Sequence, residues 1–222
     1  VFAAGSAMLN FTHSEDQAND FKIQPLMTNM YSFSGPRFAK ADVNGDRLED
    51  IYICGPRNHP GRLFLQQRDG NYREDVQKIF ATDMVYEDCG AIFFDADNDG
   101  DLDLYVVSGG FQVDDSTQLD DRLYLNDRGK FSRPKGLLPA KAVAGSVIVP
   151  MDFDRDGDLD LFAPGRVVPG EYPVNPLSRL LVNDGKGKFE DLTARIAPVF
   201  NTLGMVTDAR WIDLDGDKKE EL

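Results

Sequence analysis

The stretch GAIFFDADNDGDLDLYV, residues 90–106, decides how this chain is read. Its centre, DADNDGDLD at 95–103, places carboxylates at the first, third, fifth, seventh and ninth positions, with Gly100 at the sixth. Short apolar runs flank it on both sides, so the acidic segment reads as a loop between two strands. The same nine-residue window recurs as DVNGDRLED at 42–50, DFDRDGDLD at 152–160 and DLDGDKKEE at 213–221. Successive windows start 53, 57 and 61 residues apart, the spacing of a repeat architecture.

Two further landmarks keep step with the windows. One is RLFLQQRDGNY (62–72), RLYLNDRGKF (122–131) and RLLVNDGKGKF (179–189). Each is an apolar run, a polar turn, and an aromatic two residues after a Gly, which is a hairpin signal. The other is a Gly followed by an apolar stretch, at 35–41, 90–94, 145–151 and 204–212. Strand-like segments follow the first three windows at 51–54, 104–107 and 161–163. One period therefore reads strand, acidic loop, strand, connection, strand, turn, strand, without helical periodicity. The fold class expected is all-β, a β-propeller of four-stranded blades that bury their faces by stacking on one another. A β-sandwich would not be so strictly periodic, and a β-helix repeat is much shorter.

The fourth window ends one residue before the sequence does, and the strand that should follow it is missing. Residues 1–32 read as the end of a preceding blade or as an N-terminal extension. We therefore expect residues 1–222 to be a single propeller domain or fragment, about four repeats of a larger ring.

The charge is as periodic as the strands. The four windows hold 19 acidic and four basic residues, a net −15, which leaves +1 for the rest of a chain whose total is −14. A solvated acidic surface would not concentrate its whole excess in four loops. Such acidity disfavours nucleic acid and anionic membrane surfaces as partners. No run approaches the roughly 18 apolar residues of a membrane span. Residues 1–9 lack the basic region of a signal peptide and are too short for one.

A hard cation fits the alternation. Ca²⁺ takes six to eight oxygens at about 2.3–2.6 Å, and a tight turn aims alternate side chains at one centre. The expected ligands are Asp95, Asp97, Asp99, Asp101 and Asp103 in loop two, and Asp152, Asp154, Asp156, Asp158 and Asp160 in loop three. Loop one offers Asp42, Asn44, Asp46, Leu48 and Asp50; loop four offers Asp213, Asp215, Asp217, Lys219 and Glu221. The seventh position contributes its backbone carbonyl, and the ninth closes the site from the edge of the next strand. Gly100 and Gly157 supply the sharp turn, where a positive φ is expected. Loop one has Arg47 at that position and loop four Lys218, so these two sites are expected to be weaker, loop four the weakest. An EF-hand would require Glu at position 12 and flanking helices; here that position is Ile53, Val106 or Ala163. Mg²⁺ rarely uses an all-protein cage, and two Cys and two His in no cluster disfavour zinc.

The segment FSGPRFAKADVNGDRLEDIYICGP (33–56) resembles an FG-GAP/VCBS repeat. Residues 90–106 are similar to the same repeat in the cartilage-acidic-protein-like (ASPIC/UnbV-associated) family. The resemblance implies a propeller, often seven-bladed, like the head of integrin α subunits, with calcium in the blade loops and a secreted or cell-surface location. Carried over residue by residue, it implies Asp95, Asp97, Asp99, Asp103, Asp152, Asp154, Asp156 and Asp160 as ligands. Arg47, Lys218 and Glu221 depart from the pattern.

Two functions compete. One is a calcium-stabilised binding, adhesion or scaffold module with a protein or glycan ligand, on its own or within a surface complex. The other is a polysaccharide lyase or hydrolase, or an accessory subunit of a glycan-processing complex. Catalysis needs a constellation of base, acid or nucleophile, and His13 and His59 stand in no recognisable motif. Metal ligation accounts for the carboxylate pairs, so the binding reading is preferred and no catalytic residue is assigned. Cys54 and Cys89 are read either as a pair between adjacent strands or as two small buried thiols. Trp211, Tyr105, Tyr124, Phe93, Phe94, Phe131 and Phe189 are expected in the core, and residues 164–176 as an extended connection.

Overall fold

The structure is a computed structural model that describes residues 9–15, 19–33, 35–111, 115–217 and 220–222. It is built from antiparallel sheets of four strands. The first joins β1 (Phe38–Ala41), β2 (Asp50–Ile53), β3 (Arg62–Gln66) and β4 (Tyr72–Asp75), in that order. The second joins β5 (Asp88–Phe94), β6 (Asp103–Ser108), β7 (Arg122–Asp127) and β8 (Lys130–Ser132). A two-residue strand, β9 (Ala144–Gly145), precedes the third, which joins β10 (Val149–Met151) and β11 (Asp160–Ala163) to β13 (Arg179–Asn183) and β14 (Phe189–Asp191). Between β11 and β13, β12 (Gly165–Val167) leaves the sheet to pair with β9. Residues 164–176 are thus more than the plain connection expected. Among the described residues, helix is confined to two short α segments, α1 (Lys78–Thr82) and α2 (Thr193–Ile196), and three 3₁₀ turns.

Each sheet carries one acidic window between its first two strands, in one fixed register. The residue before the window pairs with the ninth residue: Ala41 with Asp50, Phe94 with Asp103, and Met151 with Asp160. The fourth window repeats this as a single antiparallel bridge between Ile212 and Glu221. We call the sheets blades one to three. No strand pairing joins blade three back to blade one among the described residues.

Stacking explains the composition of the middle strands. All six residues of β6 are buried. Side chains alternate along a strand, so Leu104 and Val106 face one neighbour while Tyr105 and Val107 face the other. The first pair joins Val43, Tyr52, Cys54, Leu63, Phe80, Tyr124 and Phe131 in the core between blades one and two. The second joins Phe94, Ala96, Leu123, Leu161, Leu181 and Phe189 in the core between blades two and three. A strand apolar on both faces is what a layer covered on both sides requires. The outer faces are covered by irregular chain. Phe11 meets Phe64 edge-on, with their centroids 6.1 Å apart, and Phe200 packs on Phe162 at 4.9 Å.

Blades one and two are also joined at Asp88, which forms a buried ion pair with Arg122 of its own blade and accepts from two groups of blade one. Asp88 accepts from Arg122 Nη2 at 2.5 Å, from Gly55 N at 2.9 Å and from the Tyr52 hydroxyl at 3.2 Å. The Arg122 guanidinium also lies 4.3 Å from the centre of the Tyr86 ring.

The structure places the remaining residues singled out in the sequence, and one of them, Trp211, departs from expectation. Trp211 is only half-buried, because the fourth repeat supplies no sheet around it. Tyr105, Tyr124, Phe94, Phe131 and Phe189 are buried, and Phe93, partly buried, packs against the core between blades one and two. The described residues within 1–32 include a 3₁₀ turn, Asp20–Lys22, and bends. Cys54 and Cys89 are free thiols, both held protonated by burial, Cys89 with its pKa pushed up to about 12.

Candidate metal centre

Loops one to three are each shaped by two left-handed residues, at positions four and six. These are Gly45 and Arg47 in loop one, Asn98 and Gly100 in loop two, and Arg155 and Gly157 in loop three, with φ between 60° and 101°. In loop four, Gly216 at position four has φ 83°. The sequence reading anticipated only position six. The signal for position four was present in Gly45, Asn98 and Gly216, because Gly and Asn enter this region most readily. Arg47 takes up the same conformation as Gly100 and Gly157, so its departure from the pattern does not alter the course of the backbone.

The turn aims carboxylates inward, with different results in different loops. In loop two, Asp95, Asp97 and Asp99 each bring one oxygen into a group whose members lie within 4.8 Å of one another. In loop three the group is Asp152, Asp154 and Asp160, and in loop four Asp213, Asp215 and Glu221. No such group forms in loop one among the described residues. There the chain satisfies its own acids. Asp42 accepts from the backbone N–H groups of Gly45, Asp46 and Arg47, and Asn44 Oδ1 accepts from Asp46 N. In loops two and three the first-position Asp accepts one of these bonds, from Gly100 N at 3.0 Å and Gly157 N at 3.2 Å. Its second oxygen stays buried without a donor, as does Asp97 Oδ1. This reorders the outer loops. Loop four gathers its acids and loop one does not, although sequence alone ranked loop four last. Lys219, expected to offer a carbonyl there, lies outside the described residues.

The ninth position has a second task beyond closing the site. Asp50, Asp103 and Asp160 are almost fully buried, and each carboxylate spans two backbone donors. One is the N–H of the loop's second residue: Val43 at 3.2 Å, Ala96 at 2.8 Å and Phe153 at 3.0 Å. The other is an N–H of the third strand: Gln66 at 2.8 Å, Asn126 at 2.8 Å and Asn183 at 2.9 Å. Glu221 keeps the first of these bonds, to Leu214 N at 2.9 Å. Burial pushes the Asp50 carboxyl up to about 6 and the Asp103 carboxyl up to about 7, against the lowering by those donors. Asp160 and Asp97 are raised for the same first reason, with neighbouring carboxylates adding to it.

The seventh-position side chains face the hairpins. Asp101 accepts from Arg128 N at 3.0 Å, and Asp158 accepts from the Asn98 amide of the neighbouring loop. Asp46, Asp99, Asp156 and Asp215 each accept from the backbone N–H two residues on: Leu48, Asp101, Asp158 and Asp217. The turn glycines Gly129 and Gly187 bring these hairpins close to the preceding blade's loop. A Cβ on Gly129 would lie 3.3 Å from that of Asn44, and one on Gly187 would lie 3.6 Å from that of Asp97.

Buried carboxylate oxygens without donors, converging in clusters of three, are costly in a protein and well matched to a hard dication. The residues present therefore fit calcium, best in loops two and three. Fold and loops together define an array of blade-like sheets with acidic turns. Residues 42–106, from the start of loop one into β6, match the FG-GAP-like repeat family. Among curated proteins, none matches the chain.

Proposed function

We propose that this chain is part of a calcium-loaded β-propeller, of about seven blades when complete, that works outside the cell or on its surface as a binding, adhesion or scaffold module for a protein or glycan. The observation that carries the reading is the set of donorless buried oxygens, Asp95 Oδ1, Asp97 Oδ1 and Asp152 Oδ1, inside acidic clusters of fixed register. Asp95, Asp97 and Asp99 would hold one ion, and Asp152, Asp154 and Asp160 another. The ion supplies the positive charge that these groups otherwise lack, and makes a turn of like charges rigid. The similarity of 42–106 to FG-GAP-like repeats supports the same reading. Sites of this kind in extracellular modules bind at about 10⁻⁴–10⁻³ M, a range filled only where calcium is millimolar.

The test is a melting curve. Protein stripped with chelator and then given 10 mM CaCl₂ is expected to gain about 2.7 kcal/mol for a site of Kd near 10⁻⁴ M. In a chain of this size that is a rise of roughly 5–10 °C in Tm. Mg²⁺ at the same concentration is expected to give much less. A curve that calcium leaves unmoved would rule the metal reading out.

A further inference from the structure

The turn of the third strand carries an Asn whose side chain belongs to two loops at once. Asn183 is 6 % exposed, and its amide Nδ2 donates to Ala96 O at 2.8 Å in loop two and to Leu159 O at 3.2 Å in loop three. Its own backbone N–H donates to Asp160 Oδ1 at 2.9 Å, and its Oδ1 accepts from Gly185 N at 3.2 Å. Every polar group of the side chain is thus engaged, on elements of two adjacent clusters. Ala96 lies between Asp95 and Asp97, the two loop-two residues with donorless oxygens, while Leu159 precedes Asp160, a member of the loop-three cluster. The arrangement repeats one blade earlier. Asn126 Nδ2 donates to Val43 O at 2.8 Å and Leu102 O at 3.0 Å, and its backbone N–H donates to Asp103 Oδ1. A second strut joins loops two and three directly, from the Asn98 amide to the Asp158 carboxylate.

From this geometry we propose that Asn183 couples the loop-two and loop-three sites, so that filling one raises the affinity of the other. The inference rests on the calcium reading above. Metal in loop two fixes the Asp95–Asp97 backbone, and with it the Ala96 carbonyl. That carbonyl holds the Asn183 side-chain amide, which in turn holds the Leu159 carbonyl, while the backbone N–H of the same residue holds the Asp160 carboxylate. The second ion then meets a loop whose ordering cost has already been met, which is positive cooperativity without a change of fold. Linkage makes the effect reciprocal. Asn183 is a positioning residue here and touches no ion.

Calorimetric calcium titration of the full chain tests this in a mutant cycle. Asp152→Asn with Asp154→Asn disables loop three, and the affinity of loop two is then read alone. With Asn183 in place, loss of loop three is expected to weaken loop two by about tenfold, within the usual 5–150-fold range of coupling between sites. In the Asn183→Ala background the same loss is expected to weaken loop two by no more than about threefold, the part left to the Asn98–Asp158 strut. If Asn183→Ala lowers both affinities equally and keeps the tenfold dependence, Asn183 is a packing residue only and the proposal falls. Should Asn183→Ala not fold, Asn98→Gly, which removes the second strut and keeps the left-handed turn, is expected to reduce the dependence at least twofold, and an unreduced dependence overturns the coupling. Failure of the two readings is distinguishable. Wild type that gives no heat with calcium removes the metal itself, whereas two ions bound with independent affinities remove only the coupling.

Discussion

Asp88→Ala is expected to destabilise the fold by about 3–5 kcal/mol, the cost of leaving one partner of a buried ion pair alone. Arg122 would remain 3 % exposed, facing Ser108 Oγ, the Tyr124 hydroxyl and the Tyr86 ring, with no carboxylate in place of Asp88. The Gly55 N–H and the Tyr52 hydroxyl would lose their acceptor in the same step. Because Asp88 opens blade two while Gly55 and Tyr52 belong to blade one, the loss falls on the packing between blades. Denaturant unfolding measures it. The double variant Asp88→Ala/Arg122→Met is expected to lose less than the single one, since no buried charge is left behind. A single-variant loss below about 1 kcal/mol would show that water reaches Arg122 and that Asp88 does not join the blades.

Asp103→Ala should have a comparable effect at the opposite end of the same blade. The substitution strips the acceptor from two buried backbone donors, Ala96 N and Asn126 N, at roughly 1–3 kcal/mol each. The expected destabilisation of the metal-free protein is therefore about 2–5 kcal/mol, with Asp103→Asn intermediate because one oxygen remains. Asp97→Asn separates the structural task from the ligand task. Asp97 Oδ1 has no donor to lose, so the metal-free Tm should hold while the calcium-induced rise shrinks. A drop in the metal-free Tm as large as that of Asp103→Ala would place Asp97 among the structural acids instead.

The same buried acids set a pH dependence. A carboxyl raised in the folded state binds its proton more tightly there than in the unfolded chain. Its contribution to stability is complete below the unfolded value near 4 and is lost as pH rises through the folded value. For Asp50 and Asp103 that window runs from about 4 to about 6 and about 7. Metal-free protein is therefore expected to melt higher at pH 5 than at pH 7.5. Calcium, which binds carboxylates in their deprotonated form, should reverse the order. A metal-free Tm that climbs steadily from pH 5 to 7.5 would contradict the buried, raised state of these acids.

How much of this was legible in the residues can be judged from particular positions. The alternation of Leu104, Tyr105, Val106 and Val107 announced a strand covered on both faces, because side chains on a strand have only two directions. The fixed offsets of the windows placed the loops between strands for the same reason, and Gly100 and Gly157 marked the turn. Asp88, Arg122 and Asn183 stood in plain sight without a reading. Their partners lie 34 residues away for the ion pair and 87 for the Asn183 bond to Ala96, and no local periodicity encodes such a distance.

The sequence by itself determined the repeat: four acidic windows at intervals of 53 to 61 residues, with their strands and turns, and the concentration of charge within them. Those features follow from short-range rules of backbone and side-chain direction. Only the tertiary structure decided which acids converge and which satisfy the chain's own donors. Asp42 and Asp95 occupy the same position in two windows of the same repeat. Yet Asp42 accepts three backbone N–H groups, while Asp95 keeps an oxygen with none. Those three donors lie three to five residues on in the same loop, so the difference rests on the exact course of each folded turn, which a pattern of residue types does not specify.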